Sequence, residues 1–307
     1  MYYNSLYIFL GSCVPKNKDK LKINFFFYFL LTDPCYSLLQ IVPSSDNMSK
    51  DPETRKDEER MEKKTDPGAS RYGNFMNYYQ FHSAEERVRQ LPHDVWHSVP
   101  SDRKYVGLDI GCNAGDLTYK LHEFLDDNLK HSEEKLDIFL LGIDLDPILI
   151  ERSRETNPRP DRITFEHADF LSSENDKMIK EYLERLGRSR FDVIFCFSIS
   201  MWIHLNHGDD GLVKFFRKAC SICDLIVVEP QPWKCYRNAS RRLRLANLED
   251  FPLIKRLERK GDMTEQIERI LSGICNFQKV TVTSSNDWQR KILVYARRND
   301  LLQDQPL

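Results

Sequence analysis

A glycine loop that starts with an acidic residue is the part of the sequence best suited to chemistry. Residues 106–116 read VGLDIGCNAGD, an apolar strand that passes through glycines into the helical pattern of residues 117–121. Glycine lets the backbone approach a ligand closely, and a helix start offers unpaired N–H groups. A dinucleotide fingerprint has three glycines that seat a pyrophosphate, whereas Asp109 here would repel one. The loop therefore favours a site for S-adenosylmethionine, whose tail carries a sulfonium and an amine. A dinucleotide site and a purely structural turn are the alternatives.

A second acidic residue follows the next predicted strand, residues 136–143. An acid at this place in a nucleotide-binding sheet accepts hydrogen bonds from ribose hydroxyls, which is the role expected of Asp144. Asp146 precedes Pro147, a residue suited to the first turn of a helix, and is expected to cap that helix. Capping by Asp144 is the alternative.

A third acidic residue ends predicted strand 162–168. The carboxylate of Asp169 can accept the adenine amino group while the ring of Phe170 faces the base; an ordinary surface turn is the alternative. Asn113 in the glycine loop can bond the methionine part of the cofactor, although asparagine also occurs in turns for its backbone conformation alone.

Strands and helices alternate along residues 71–298, which predicts an α/β domain with a doubly wound, mostly parallel sheet. Further strands are expected at 191–198 and 222–229, and two more at 275–284 and 290–297 form a C-terminal hairpin. Ligands bind such sheets at the carboxyl ends of the strands. The strand ends that should converge on one crevice are Asp109, Asp144, Asp169, Phe197–Ser198 and Glu229–Pro230.

The bulk composition limits the possible partners. The 307-residue chain is 41% hydrophobic and carries a formal net charge of −2, so contact with nucleic acid must rest on local basic patches. Its eight cysteines are scattered without disulfide-like spacing, which indicates a reducing compartment and fits a cytoplasmic protein.

Both ends of the chain differ from the predicted domain. Residues 48–70 are densely charged, and the whole segment 1–70 is expected to be disordered, as residues 299–307 are expected to form a tail. The apolar run 23–31 is much shorter than the ~20 residues that span a bilayer. We hypothesise that Met48 is the natural start and that residues 1–47 are a gene-model extension, with a membrane anchor as the alternative.

Three further segments narrow the function. They are GNF at 73–75 followed by YY at 78–79, MWIHLNHGD at 201–209, and VEPQPWK at 228–234. Together they resemble the bicoid-interacting family of RNA 5′-phosphate methyltransferases over about residues 71–297. The run QPWKCYR at 231–237 looks most like the short, cytoplasmic type of this family.

The resemblance implies a class I, Rossmann-like methyltransferase that uses S-adenosylmethionine to methylate the 5′-monophosphate of small RNAs, histidine tRNA and precursor microRNA among them. It also implies roles for individual residues: Asp109, Gly111, Asn113, Asp144, Asp169, Phe170 and Arg87 at the cofactor, and Tyr78 near the acceptor. Phe197 is expected at the cofactor because it ends a strand. Gln80 departs from the resemblance, which has a basic residue there, so position 80 is not expected to bind phosphate.

The acceptor side requires donors rather than a general base, because a terminal phosphate with a second pKa near 6 is already largely a dianion at pH 7. Arginine and lysine suit phosphate, and aromatic rings can stack on a terminal base. Trp233, Lys234, Arg237 and Arg241 are the candidates, a solvated basic helix face being the alternative.

Histidines 204 and 207 have H-x-x-H spacing but lack an evident third metal ligand. We therefore expect no metal, and assign His204 and Asn206 as hydrogen-bond donors that line the acceptor pocket.

The expected partner is a small RNA with a 5′-monophosphate, bound by a monomer without a membrane. A capping-type methyltransferase that acts on another RNA 5′ end, a small-molecule methyltransferase and a non-catalytic RNA-binding module remain as alternatives. Because one fold hosts many functions, the strand-end acids and the acceptor-side motifs carry this inference rather than the fold.

Overall fold

Seven strands form one mixed sheet within residues 68–76, 78–96, 104–129 and 136–298, the part of the chain that the computed structural model describes. The strands are β1 Tyr105–Ile110, β2 Ile138–Asp144, β3 Ile163–His167, β4 Phe191–Phe197, β5 Cys223–Glu229, β6 Phe277–Val282 and β7 Leu293–Arg297. Their order across the sheet is β3-β2-β1-β4-β5-β7-β6. Strands β1 to β5 are parallel, and β7 lies antiparallel between β5 and β6. This confirms the predicted class I architecture with its C-terminal antiparallel hairpin.

The centre of the sheet is the point where the strand order reverses. Asp109 of β1 pairs with Gly142 of β2 on one side and with Phe195 of β4 on the other. Such a reversal opens a crevice beyond the carboxyl ends of the strands. The glycine loop after β1 therefore lies between the ends of β2 and β4.

Eight α-helices accompany the strands within the described residues. They are α1 Tyr78–Phe81, α2 Ala84–Arg89, α3 Asp116–Asn128, α4 Pro147–Glu155, α5 Asp176–Arg185, α6 Ser200–Ser221, α7 Trp233–Leu245 and α8 Met263–Gly273, with a 3₁₀ turn at Ser173–Asn175. Helix α6 begins at Ser200. Gly208 interrupts it with a non-helical backbone (φ 72°, ψ −171°), so residue 209 starts its second part.

The two faces of the sheet carry separate apolar clusters, because alternate residues of a strand point to opposite faces. Leu108 belongs to the cluster that contains Phe215 and Phe216 of α6. Phe195 belongs to the cluster on the other face with Leu117 of α3. Covered on both faces, β1 and β4 are buried along their whole length, as central parallel strands are expected to be.

No helix in the described ranges is long and apolar enough to cross a membrane. The predictions for residues 1–67, including the apolar run at 23–31 and the start at Met48, lie outside the described residues, as does the tail at 299–307.

A buried ion pair fixes β4 beside β1 at the end of the sheet opposite the crevice. Asp192 accepts a hydrogen bond from the Val106 N–H at 2.7 Å. It also accepts two from Arg188, at 2.9 and 2.8 Å. Arg188 in turn donates to the Lys104 carbonyl at 2.6 Å. This pair helps to set the relative position of the two strands whose far ends carry the site.

Replacing Asp192 with alanine is expected to lower the free energy of unfolding by about 3–5 kcal/mol, because it leaves the Arg188 charge buried without its partner. Chemical denaturation measures this difference. The matched control is Asp224→Ala, which removes partly exposed pairs with Arg190 and Arg297 and should cost about 1 kcal/mol or less. Equal losses in the two variants would contradict the proposed importance of the buried pair.

Candidate cofactor and acceptor site

A cavity opens at the predicted crevice and is walled by the strand ends, α6 and the N-terminal segment. Its volume is about 910 Å³ including its open mouth. Of the predicted site residues, those on its wall are Tyr78, Arg87, Gly111, Asn113, Asp144, Asp169, Phe170, Phe197 and Asn206. Sequence analysis thus located nine of the residues that line this cavity, although they are spread over more than a hundred positions.

The glycine loop has a shape that a side chain would obstruct. Gly111 has φ 81°, and a Cβ there would lie 2.3 Å from the Ile199 side chain. The Gly111 and Cys112 N–H groups donate to the Ile143 carbonyl at 2.8 and 3.0 Å, which ties the loop to β2. The loop is therefore a rigid, close-packed floor with room for a ligand above it.

Asn113 is held by contacts within the protein. Its backbone N–H donates to Asp144 at 2.9 Å, and its side-chain amide donates to the Phe75 carbonyl at 3.0 Å. With φ 52° it also has the left-handed backbone that asparagine tolerates well. The turn role considered from the sequence is present, and Asn113 additionally joins the N-terminal segment to the loop.

The two acids at the end of β2 differ in their contacts. The Asp146 side chain accepts from the Ile148 and Leu149 N–H groups at 2.9 and 3.4 Å, which confirms it as the cap of α4. Asp144 lines the cavity, and each of its oxygens accepts one backbone N–H, from Asn113 and Asp146. Burial raises the pKa of Asp144. A carboxylate oxygen has a second lone pair, so both remain able to accept from a ligand.

Asp169 and Phe170 form the next part of the wall. Asp169 accepts from the Leu171 N–H at 2.8 Å through one oxygen. The buried Phe170 ring packs edge-on against Phe215, with ring centroids 5.4 Å apart. The aromatic group is thus fixed beside the carboxylate.

Asp109 does not lie on the cavity wall, in contrast to the contact expected from the sequence. It is only 1% exposed and accepts a hydrogen bond from Thr118 of α3 at 2.7 Å. Its side chain is on the α3 face of β1, while the adjacent Ile110 and Gly111 line the cavity. Burial raises the pKa of Asp109 to about 6, against lowering effects of Thr118 and Arg87.

A buried polar group adjoins the cavity; we call it the arginine cluster and define it as Tyr78, Arg87, Ser198, Glu229 and Arg290. Arg87 donates to the Tyr78 hydroxyl at 2.6 Å and to Ser198 at 2.9 Å. Arg290 donates to Ser198 at 2.5 Å and to the Tyr78 hydroxyl at 3.3 Å. Ser198 donates to Glu229 at 2.5 Å, and both guanidinium groups lie within 3.4 Å of the same Glu229 oxygen.

The arginine cluster carries one uncompensated positive charge, since it has two guanidinium groups and one carboxylate. His82, 3.3 Å from Arg290, does not alter this balance. Burial, Arg290 and Arg87 lower the pKa of His82 to about 3, so the ring is neutral at pH 7. The Nε atoms of Arg87 and Arg290 are buried without a hydrogen-bond partner in the described structure. The cluster is therefore suited to an anion.

Arg290 is the member of this cluster that sequence analysis missed. It precedes β7, more than 200 residues from Arg87, and only the hairpin that joins β6 to β7 brings it to the site. Gln90 fastens that hairpin, donating to the carbonyls of Ser284 and Arg290 at 2.8 and 3.0 Å. No local pattern around residue 290 indicates this contact.

The N-terminal segment crosses the mouth of the cavity against α6. A Cβ at Gly73 would lie 2.1 Å from the Trp202 ring, so only glycine fits there. Asn206 donates to the Arg71 and Trp202 carbonyls, both at 2.9 Å. Asn206 lines the cavity as expected, but its amide hydrogens hold the segment in place.

His204 is part of the protein core, which corrects its assignment as a donor on the acceptor-pocket wall. It is 0% exposed. Its two ring nitrogens bond the Tyr236 hydroxyl and Asp209, each at 3.1 Å. Asp209 also accepts the N–H groups of Glu258 and Arg259. His204 therefore joins α6, α7 and the loop after α7.

The predicted RNA-binding residues lie on α7, outside the cavity wall. Lys234, Arg237 and Arg241 are exposed. Trp233 is half-buried and stacks on Tyr236 with ring centroids 4.6 Å apart, so one of its faces is already covered. No group of three or more His, Cys, Asp or Glu residues in the described ranges is arranged to hold a metal ion.

Comparison with known proteins identifies the family. A family model described as bicoid-interacting protein 3 matches residues 191–297. An RNA 5′-monophosphate methyltransferase of Bos taurus is 42% identical over 76% of this chain and 82% of its own length. The chain belongs to the bicoid-interacting protein 3 family. A pre-miRNA 5′-monophosphate methyltransferase of Xenopus laevis is 40% identical over 75% of this chain and 93% of its own length. Family membership confirms the resemblance, the enzyme class and S-adenosylmethionine as cofactor.

The affinity for S-adenosylhomocysteine is expected to fall about tenfold between pH 7 and pH 5. Below its pKa of about 6, Asp109 loses the charge that favours the ligand's cationic amine. The raised pKa of Asp109 also affects folding. As pH rises from about 4 to 6, ionisation of the buried carboxylate lowers the free energy of unfolding of the ligand-free protein. A bound cation offsets this loss. Calorimetric titration at each pH measures the affinity. Asp109→Asn should give a pH-independent affinity; an unchanged pH dependence in this variant would assign the effect to another group.

Proposed function

We propose that this protein transfers the methyl group of S-adenosylmethionine to the 5′-monophosphate of small RNAs. The observation that carries the proposal is the arginine cluster, a buried site with one excess positive charge next to the strand-end cavity. The names of the Bos taurus and Xenopus laevis relatives, both 5′-monophosphate methyltransferases, support the same substrate.

The cavity fits the cofactor by shape and by charge. The Gly111 turn packs against Ile199 where a side chain would clash, and two acids on the wall, Asp144 and Asp169, line the space for a ligand that carries two positive groups. In this arrangement Asp144 binds the ribose hydroxyls, Asp169 and Phe170 bind the adenine, and Arg87 lies on the cavity wall beside the cofactor. Asp109 does not line the cavity, so it acts on the cofactor amine through its charge, across the glycine loop.

The chemistry requires orientation rather than proton transfer. When bound, S-adenosylmethionine supplies an electrophilic methyl group: a phosphate oxygen forms the new O–C bond as the S–C bond breaks and its electron pair returns to sulfur. The acceptor dianion has no proton to lose. The protein therefore has to hold the phosphate oxygen in line, about 3 Å from the methyl carbon, and exclude water.

Tyr78 is the residue that connects the arginine cluster to the cavity, because it belongs to both. Its hydroxyl is held by guanidinium groups, which keeps a neutral donor rather than a full cation closest to the acceptor. A direct ion pair would lower the nucleophilicity of the phosphate oxygen. The cluster thus attracts a dianion while leaving its reacting oxygen available.

The body of the RNA is proposed to follow α7. Lys234, Arg237 and Arg241 recur at positions i, i+3 and i+7 on one exposed face, a spacing of about 10 Å along the helix axis. From residue 233 to 262 the chain has nine basic and four acidic side chains, a surplus of five positive charges in a chain whose net charge is −2. Such a local surplus suits an RNA backbone.

Precursor microRNA and histidine tRNA are the proposed substrate class, with the protein acting as a cytoplasmic monomer. The pre-miRNA enzyme of Xenopus laevis supports the first substrate. Histidine tRNA, the cytoplasmic location and the monomeric state follow from the sequence resemblance and from the scattered cysteines.

Labelled methyl groups from S-adenosylmethionine are expected on 5′-monophosphate RNA and not on matched 5′-hydroxyl RNA, with transfer to 5′-triphosphate RNA at least about 100-fold slower. The 5′-hydroxyl end lacks the dianion that the arginine cluster attracts. Asp144→Asn should lose most activity through weaker cofactor binding, while Asp161→Asn at an exposed acid should not. Equal labelling of the three RNAs would refute the proposed specificity.

The double variant Arg237→Ala/Arg241→Ala should weaken RNA binding and reduce its dependence on salt. Each lost phosphate contact lowers the slope of log K against log salt by about 0.7–0.9, so a decrease of roughly 1.4–1.8 is expected. Binding of labelled RNA at several salt concentrations gives the slope. Lys177→Ala/Lys180→Ala on exposed positions of α5 is the matched control. A solvated basic face, the alternative, predicts the same slope for both variants.

A further inference from the structure

Two guanidinium groups from distant parts of the chain hold the hydroxyl of Tyr78. Arg87 comes from α2, and Arg290 comes from the hairpin between β6 and β7. Arg87 lines the cavity, whereas Arg290 does not. We propose that Arg290 is a positioning residue for methyl transfer: it fixes the Tyr78 hydroxyl as a hydrogen-bond donor to the acceptor phosphate. This inference rests on the proposed function and adds a residue to its acceptor site.

The hydrogen bonds around Tyr78 determine where its proton points. A phenol oxygen accepts at most two hydrogen bonds and donates one. Both acceptor positions are occupied, by Arg87 at 2.6 Å and by Arg290 at 3.3 Å. The Tyr78 O–H must therefore donate in a third direction.

The neighbours of Tyr78 cannot take that proton. Ser198 contacts Tyr78 and lowers the pKa of its hydroxyl. It already accepts from both arginines and donates its own proton to Glu229, so it has no acceptor position left. The second oxygen of Glu229 and the Nδ1 atom of His82 are buried without a hydrogen-bond partner in the described structure, so neither receives it. Tyr78 lines the cavity, and the cavity is the direction that remains.

Arg290 is held in place from three sides. Its Nη2 atom lies 3.3 Å from His82, whose ring packs edge-on against Trp288 with centroids 4.4 Å apart. Its backbone carbonyl accepts from Gln90 at 3.0 Å, and its backbone N–H donates to Asn286 at 2.9 Å. A guanidinium fixed in this way can impose one orientation on the tyrosine.

The electrostatic surroundings of Tyr78 agree with a polarised donor. Burial raises the pKa of Tyr78, but the charges of Arg87 and Arg290 outweigh burial, so the pKa lies below its usual value. The groups that face it are Arg87 on α2, Arg290 on the hairpin, Glu229 at the end of β5, Ser198 after β4, and Tyr79 and His82 in the α1 region. Deprotonation at high pH removes the donor, so activity should fall on the alkaline side.

The test compares Arg290→Gln with the wild type and with Lys291→Gln, an exposed neighbour outside the site. Methyl transfer to 5′-monophosphate RNA is measured as kcat and KM over a range of pH. We expect kcat to fall about 10²-fold and KM for RNA to rise, because the arginine cluster loses its excess positive charge, while the affinity for S-adenosylhomocysteine changes by less than about twofold. The alkaline limit of kcat should move to higher pH, because one of the two cations near Tyr78 is gone. Lys291→Gln should behave as the wild type.

A double-mutant cycle with Tyr78→Phe decides whether Arg290 acts through the tyrosine hydroxyl. If it does, Arg290→Gln lowers kcat little further in the Tyr78→Phe background, because the hydroxyl that Arg290 positions is already absent. Additive losses would overturn the inference, as would an Arg290→Gln enzyme with wild-type kcat and pH profile. The wild-type protein tests the proposed function separately from the role of Arg290. If it binds S-adenosylhomocysteine but transfers no methyl group to 5′-monophosphate RNA, the proposed function is overturned.

Arg290→Lys keeps the test valid if Arg290→Gln fails to fold. Thermal unfolding and S-adenosylhomocysteine binding identify such a failure. The lysine variant keeps the charge but loses the planar group whose Nη1 atom contacts Ser198 and Tyr78 while its Nη2 atom contacts His82. We expect it to retain the alkaline limit and to lose roughly tenfold in kcat, again only when Tyr78 is present. Wild-type kcat in Arg290→Lys, or an equal loss in the Tyr78→Phe background, would overturn the inference.

Discussion

The charge imbalance of the arginine cluster is the constraint on which the rest of the site depends. Two guanidinium groups share one carboxylate, Glu229, in a region where Arg87 is 1% and Arg290 is 6% exposed. Removing charges from water costs several kcal/mol per ion, and an incompletely paired group is expensive to maintain. Such an arrangement persists only if the surrounding structure enforces it. The enforcing elements are the ends of β4 and β5, α2 and the β6–β7 hairpin, and all four meet at this cluster.

The sequence was sufficient wherever the signal was local. Alternating apolar strands and helical segments predicted the sheet, and Asp144 and Asp169 converge on the cavity because parallel strands end at one edge of a sheet. Asp146 could be distinguished from Asp144 because a capping residue directly precedes Pro147. Unusual motifs such as QPWKCYR indicated the family resemblance, and the comparison with known proteins confirms that resemblance.

The sequence was insufficient wherever position depends on tertiary contacts. Arg290 reaches Tyr78 across a separation of 212 residues, and no periodicity encodes that approach. His204 has the residue type of a site donor, yet Tyr236 and Asp209 hold it in the core. Asp109 is next to the cavity in sequence, but strand alternation directs its carboxylate to the opposite face, toward Thr118. For these residues the sequence indicated the chemical type of the side chain but not the direction in which it points.

The cavity is divided by charge, and the division explains why a phosphate suits it better than a neutral acceptor. Asp144 and Asp169 line the part that fits a cationic cofactor, while the arginine cluster adjoins the cavity through Tyr78, Arg87 and Ser198. A neutral hydroxyl or amine acceptor would leave the excess charge of the cluster uncompensated and would still require a base for its proton. A phosphate dianion compensates that charge and needs no base. The two arginines that destabilise the folded protein by their unbalanced charge therefore also select a phosphate acceptor. This requires that a hydroxyl, rather than a guanidinium, contacts the reacting oxygen.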